Sequence, residues 1–166
     1  MQSIYRALRK PQAVFNARLN SGRARRAFFR KCKERNSHIE RAIIYPKNYD
    51  KLHIGSNVKV NDAYFDTSGE IKIGDATFFG WGVKVLTGTH PIYEKGVARQ
   101  RMSSFRPVTI GAGVWVASYA IILPETVIGD DSVVSAGSVV KGVFPSGQLI
   151  SGNPAKVVKS INFSQT

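Results

Sequence analysis

Residues 110–140 read IGAGVWVASYAIILPETVIGDDSVVSAGSVV, and every sixth position from the first is aliphatic: Ile110, Val116, Ile122, Ile128, Val134 and Val140. Small residues, Gly111, Ala117, Gly129 and Ser135, directly follow four of them. Upstream the same register runs through Ile54, Val60, Ile73, Phe79 and Val85, with one residue too many between Val60 and Ile73. Four segments open alike: Ile54-Gly55-Ser56, Ile73-Gly74-Asp75, Ile110-Gly111-Ala112 and Ile128-Gly129-Asp130. They mark one recurring corner of a larger repeat, three hexads long. Strands of a β-sandwich would instead alternate with period two and meet turn signals every ~8–12 residues.

Three short strands joined at three corners close a triangle in three hexads and stack an aliphatic ladder inside it. Small residues relieve crowding where the chain turns. Successive coils then pair as parallel strands about 4.8 Å apart, which satisfies backbone groups from coil to coil. The spacing thus predicts an all-β fold, a parallel β-helix of about four coils over residues 52–145. Its handedness does not follow from the spacing. One departure interrupts it: Ile110 follows Val85 by 25 positions where the repeat predicts 6. Residues 90–108 are therefore expected to leave the coil as a loop, and a loop of that length inside a compact domain is usually functional or disordered. It carries His90, Pro91, Tyr93, Glu94, Arg99, Arg101, Phe105 and Arg106.

The chain of 166 residues suits one domain with an appendage. Of its net charge of +13, residues 1–50 supply +10, with 13 Lys+Arg against Glu34, Glu40 and Asp50; the remainder holds 11 Lys+Arg against 8 Asp+Glu, or +3. Residues 1–51 thus form a basic arm, expected as short amphipathic helices interrupted at Pro11 and Gly22. Such an arm can cap the open end of the coils, or contact an anionic membrane through residues 1–36. No nucleic-acid motif accompanies the charge. A segment with Arg6, Arg9, Lys10 and Pro11 lacks the apolar stretch of a signal peptide, and no apolar run is long enough to span a bilayer. A cytoplasmic protein, or one at the inner face of the membrane, is expected, and the lone Cys32 fits a reducing compartment.

Several stretches resemble the hexapeptide-repeat O-acetyltransferases, the galactoside/maltose type and its relatives that decorate surface polysaccharides. They are Gly88-Thr89-His90-Pro91, Pro107-Val108-Thr109-Ile110-Gly111, Val114-Trp115-Val116-Ala117-Ser118, Ile128-Gly129-Asp130-Asp131-Ser132, Ala136-Gly137-Ser138-Val139-Val140 and Gly152-Asn153-Pro154-Ala155-Lys156. The resemblance covers about residues 52–161. It implies a left-handed β-helix, a homotrimer with active sites between neighbouring coils, and acetyl-CoA as co-substrate without a metal. It also implies that residues 146–166 complete the coenzyme A site. The acceptor is expected to be a sugar hydroxyl of a polysaccharide or lipid-linked oligosaccharide.

In such enzymes the histidine of the Thr-His-Pro motif is the general base, here His90. Imidazole titrates near neutrality and can take a hydroxyl proton there. By the same resemblance Ala117, Ser118 and Ala136 line the pantetheine channel, Lys141, Lys156 and Lys159 meet phosphates, and the Ser118 amide stabilises the oxyanion. Asn61, Asp66 and Trp81 fall where the family touches the acceptor, and Glu94 is placed to orient His90. The basic arm departs from the acidic N-terminal segment of the galactoside/maltose group, which favours anionic or lipid-linked acceptors. His38 and His53 read as solvated or structural. A carbonic anhydrase of the same fold needs a zinc-binding histidine trio with two members close in sequence, unlike His38, His53 and His90. Amino-sugar N-acetylation, a serine acetyltransferase-like reaction, and a non-catalytic binding or structural β-helix are the alternatives.

Overall fold

The computed structural model describes residues 11–101 and 103–163, with side chains from residue 22 onward. In chain order, helix α1 (Pro11–Glu34) leads into the first coil, β1 (His38–Ile39), β2 (Ile43–Tyr45), a 3-10 turn and β3 (Leu52–Ile54). The second coil is β4 (Lys59–Asp66) and β5 (Ile71–Ile73). The third is β6 (Phe78–Val85), the excursion β7 (Gly88–Thr89), α2 (Gly96–Arg101) and β8 (Ser104–Phe105), then β9 (Val108–Ile110). The fourth is β10 (Trp115–Val116), β11 (Ile121–Ile122) and β12 (Val127–Ile128), and the fifth β13 (Val133–Val134), β14 (Val139–Val140) and β15 (Val143–Phe144). A sixth begins with β16 (Gln148–Gly152), on which β17 (Ala155–Ser160) folds back antiparallel.

Every coil-to-coil pairing is parallel, and the registers define three internal ladders. On the first face Ile39, Val60, Phe79, Val116, Val134 and Ile150 stack. On the second, Ile44, Phe65, Val85, Ile122 and Val140 stack. On the third, the repeated corner isoleucines Ile54, Ile73, Ile110 and Ile128 fall in one row and continue to Phe144. Phe65, Val85, Ile122, Val134, Val140 and Ile150 are fully buried, and each such side chain contributes roughly 1.5–3 kcal/mol.

There are thus five complete coils and part of a sixth, where the hexad spacing predicts about four. The first coil, His38 to Ile54, lies inside the segment read as an arm except for its last strand, β3. Its rungs Ile39, Ile44 and Ile54 are unevenly spaced, because the 3-10 turn at Tyr49–Lys51 intervenes, so no six-residue period reveals it. Val108 belongs to the third-face ladder and is fully buried, so the excursion ends at Arg106 rather than Val108. The irregularity between Val60 and Ile73 also resolves. Opposite Asp62 and Ala63, β6 carries one extra residue, Gly82, in left-handed backbone (φ +65°). Phe65 is therefore the rung, five residues after Val60, and Asp66 faces outward.

The Ile-Gly corners have a steric cause. A Cβ on Gly74 would lie 2.5 Å from the Ala112 amide nitrogen and 2.7 Å from the Gly111 carbonyl oxygen, both backbone atoms of the next coil. The aspartates that follow two of these glycines satisfy the preceding coil's corner. Ser56 N–H donates to Asp75 Oδ1 at 2.7 Å, and Ala112 N–H to Asp130 Oδ1 at 2.8 Å.

Helix α1, described from Pro11 onward, runs unbroken through Gly22; what precedes Pro11 lies outside the described residues. A glycine there costs only about 1 kcal/mol, so the expected break at Gly22 does not occur. Phe28 and Cys32 are buried and Ala24 and Phe29 partly so, with the Phe28 ring 5.5 Å from that of Tyr49. The end of α1 thus closes the apolar end of the first coil. Burial pushes the Cys32 thiol up against the opposing pull of Arg35, leaving it a protonated packing group.

Candidate active site

Two of the prism's three corners carry the residues singled out by sequence. Where the first face turns into the second, successive coils present Arg41, Asn61-Asp62, Trp81-Gly82, Ser118-Tyr119, Ala136-Gly137 and Asn153-Pro154. Hydrogen bonds knit this column. Arg41 N–H donates to Asn61 O (3.0 Å), Tyr119 N–H to Trp81 O (2.8 Å) and Gly137 N–H to Ser118 O (3.0 Å). The Ser118 hydroxyl accepts from Trp81 N–H at 3.1 Å, and the Ser138 hydroxyl accepts from Gly152 N–H at 3.2 Å.

Asn61, Trp81, Ala117, Ser118 and Ala136 are therefore brought together. Ala117 is buried beside the column and Ala136 is exposed on it. The small residues leave the corner open where bulkier side chains would fill it.

Three residues of this column carried no signal in the hexad spacing. The Arg41 guanidinium lies over the Trp81 ring, 4.6 Å from its centroid, so one face of an indole expected to stack on a sugar is already covered. The Tyr119 ring is 69% exposed and packs over Gly82, where a Cβ would approach two ring carbons to 2.7 Å. Close approach and positive φ together demand glycine at position 82.

The corner between the second and third faces carries the excursion. Its base is pinned by Asp66, whose Oδ2 accepts from Thr87 N–H (3.1 Å) and Gly88 N–H (2.7 Å) and whose Oδ1 accepts from Ser68 N–H (3.0 Å). Buried Thr87 donates from its hydroxyl to Asp66 O at 2.7 Å and accepts from Gly69 N–H at 2.8 Å. Partial burial alone raises the Asp66 pKa, but the hydrogen bonds from Ser68, Gly88 and Thr87 together outweigh it and hold the carboxyl below its ordinary value. Both oxygens of Asp66 are thus engaged in holding the chain where it leaves the coil.

Beyond this base, β7 and β8 pair antiparallel, Gly88 opposite Phe105 and Thr89 opposite Ser104. His90 follows, exposed, with Nδ1 2.9 Å from the Arg99 carbonyl oxygen. A carbonyl can only accept, so this bond needs the proton on Nδ1 and leaves the Nε2 lone pair facing outward. The Arg99 side chain braces the same turn: Nε donates to Glu94 O at 2.8 Å and Nη2 to Ile92 O at 3.0 Å. The His90 partner expected at Glu94 is thus a backbone carbonyl at Arg99; Glu94 takes part through its own carbonyl.

The three lysines do not converge. Lys141 lies at the loop's corner two coils on, next to Gly142 and β15. Lys156 and Lys159 are exposed on β17, opposite Ser151 and Leu149. Their partners are two apart on β16, and the bulge at Val158 restores the alternation, so both point to the same, outward side of the strand, apart from Lys141. Among the described residues no group of three His, Cys, Asp or Glu could hold a metal ion, and no helix is long and apolar enough to cross a membrane.

Comparison with known proteins places this geometry. The family described as bacterial transferase hexapeptide (six repeats) matches residues 107–142. Galactoside O-acetyltransferase of Escherichia coli (strain K12) is 33% identical over 128 residues, 74% of this chain, and the chain spans 63% of that relative's length. A maltose O-acetyltransferase from Clostridium difficile 630 superposes with a TM-score of 0.67 at 32% identity, covering 75% of this chain and 68% of that one. A hexapeptide-repeat acetyltransferase from Vibrio cholerae O1 biovar eltor, complexed with acetyl coenzyme A, shares the fold. Its TM-score is 0.71 at 21% identity, covering 92% of this chain and 91% of that one. With its left-handed parallel β-helix, its corner columns and these relatives, the chain belongs to the hexapeptide-repeat acetyltransferase family, alongside the galactoside and maltose O-acetyltransferases.

Proposed function

We propose that this protein transfers the acetyl group of acetyl-CoA to a sugar hydroxyl, with His90 as general base. The observation that carries the reading is the Nδ1 contact of His90 with the Arg99 carbonyl, because it leaves Nε2 as the outward-facing acceptor. Likeness to relatives named galactoside and maltose O-acetyltransferase supports the sugar acceptor, and likeness to a structure complexed with acetyl coenzyme A supports the donor.

The residues derive the following sequence. His90 Nε2 takes the acceptor hydroxyl's proton as that oxygen attacks the thioester carbonyl. The Ser118 amide is the donor we assign to the resulting oxyanion, on a residue whose hydroxyl is already fixed by Trp81. Collapse breaks the carbon–sulfur bond, and His90 returns the proton to the departing thiolate. The products are an acetyl ester and free coenzyme A. The pantetheine arm would run along the column at Ala117, Ser118 and Ala136, its phosphates reaching Lys141, Lys156 or Lys159 of the assembled protein. Asn61 and Trp81 would border the acceptor.

Within one chain, the column and His90 stand at different corners of the prism. The reading therefore requires a second copy whose excursion approaches this copy's column, as in a homotrimer. The direct test is thiol release from acetyl-CoA with a panel of glycan acceptors. His90→Ala should lower the rate by about 10²–10⁴-fold with no change in thermal midpoint, since His90 is exposed. Unchanged release in this variant removes His90 from the mechanism, and sedimentation as a monomer removes the shared site.

A further inference from the structure

The last turns of α1 put their two sides to different uses. Phe28 and Cys32 face the first coil and are buried, with Ala24 partly buried beside them. On the opposite side Arg23, Arg26, Arg30 and Lys33, spaced i, i+3, i+7 and i+10, fall within one narrow stripe of the helix and are all exposed. The stripe is about 15 Å long at 1.5 Å per residue. Among the described residues its one ion pair is with Glu34, 3.8 Å from Arg30 and exposed on both partners. A pair so exposed neutralises little. In the sequence, ten cations (Arg6, Arg9, Lys10, Arg18, Arg23, Arg25, Arg26, Arg30, Lys31 and Lys33) come before the first acid, Glu34.

We propose that this stripe is a docking surface for an anionic lipid bilayer, holding the cap end of the β-helix against the headgroups. Three features favour a bilayer over a soluble polyanion. The row sits on the convex outer side of a helix, where a flat charged surface meets all four cations at once and a polymer chain finds no walls. Guanidinium groups, three of the four, pair with phosphate oxygens in bidentate fashion. Over these last turns the apolar side is already spent on the first coil, so the stripe's contact is electrostatic and superficial, without insertion. The stripe lies on the helix that caps the first coil, and the excursion that carries His90 leaves from the third. The inference does not depend on the proposed reaction.

The experiment is co-sedimentation of the full chain with vesicles of phosphatidylcholine alone and of phosphatidylcholine mixed with phosphatidylglycerol, at low and high salt. Each cation near an anionic surface is worth roughly a fivefold change in partitioning. The R23Q/R26Q/R30Q/K33Q variant should therefore bind the mixed vesicles roughly six-hundredfold less tightly. Its thermal midpoint should not move, because all four positions are exposed. The parent should bind mixed vesicles at low salt, release at high salt, and ignore phosphatidylcholine. Equal binding to both vesicle types, salt-insensitive binding, or unchanged binding by the variant would overturn the proposal. So would stronger retention of the parent by a soluble acidic polysaccharide than by the vesicles, which would reassign the stripe to a glycan. Should the quadruple variant fold poorly, R26Q/R30Q carries the same test with an expected loss of roughly twenty-five-fold.

Discussion

Replacing Arg99 by methionine tests how His90 is held. Methionine keeps the stem and the helix preference of α2 but deletes the donors to Ile92 O and Glu94 O. A buried charged hydrogen bond contributes ~1.5–3 kcal/mol. His90, Ile92 and Arg99 are all exposed, so water replaces much of what is lost, and about 0.5 kcal/mol for each of the two bonds is the reasonable figure. Together they amount to roughly 1 kcal/mol of order in the turn that presents the Arg99 carbonyl to His90 Nδ1, close to a fivefold effect on the fraction of correctly held imidazole. The helix α2 buries no side chain, so global stability should be untouched. In a thiol-release assay kcat should fall about fivefold, while KM for acetyl-CoA stays constant because neither deleted bond involves a residue assigned to the coenzyme A column. The His90 ring should also lose Nδ1 protonation in nitrogen-15 spectra of the neutral form. Unchanged kcat together with an unchanged Nδ1–H signal would refute the bracing role.

Three further outcomes follow from the packing. Gly74→Ala should cost ~3 kcal/mol or more, since its Cβ meets backbone atoms of the next coil that cannot retreat. Gly137→Ala, with φ +68° and nothing within 4 Å of its Cβ, should cost only ~1–2 kcal/mol; chemical denaturation compares the two, and equal losses would defeat the steric account. Ile122→Ala, fully buried on the second-face ladder, should lose ~3–4 kcal/mol by the same measurement. Asp66→Asn should lower the thermal midpoint by an amount worth ~1 kcal/mol, because an amide nitrogen cannot accept from the Thr87, Gly88 or Ser68 amides. Its folded pKa is depressed, so the stabilisation is fully present above the unfolded carboxyl value near ~4 and is lost as pH falls through the folded value. The difference between wild type and variant should therefore shrink in acid, and a difference independent of pH would contradict the ionised assignment.

The ladder was legible from the amino-acid sequence alone. Inward positions of a three-sided coil are filled by aliphatic side chains at a fixed interval, so Ile110, Val116, Ile122, Ile128, Val134 and Val140 announce their own stacking, and the four Ile-Gly corners announce theirs. The excursion was legible for the same reason, as a gap in a strict period with His90 near its start. Where the coil begins is visible only in the folded chain, since the first coil from His38 departs from the six-residue interval and its rungs are recognisable only once paired with β4. So is the direction of Asp66, because one extra residue at Gly82 reverses an outward or inward assignment along a strand. The partner of His90 was hidden for a different reason. A backbone carbonyl carries no residue identity, so a bond from Nδ1 to Arg99 O leaves no mark in the sequence and exists only because the excursion folds back upon itself.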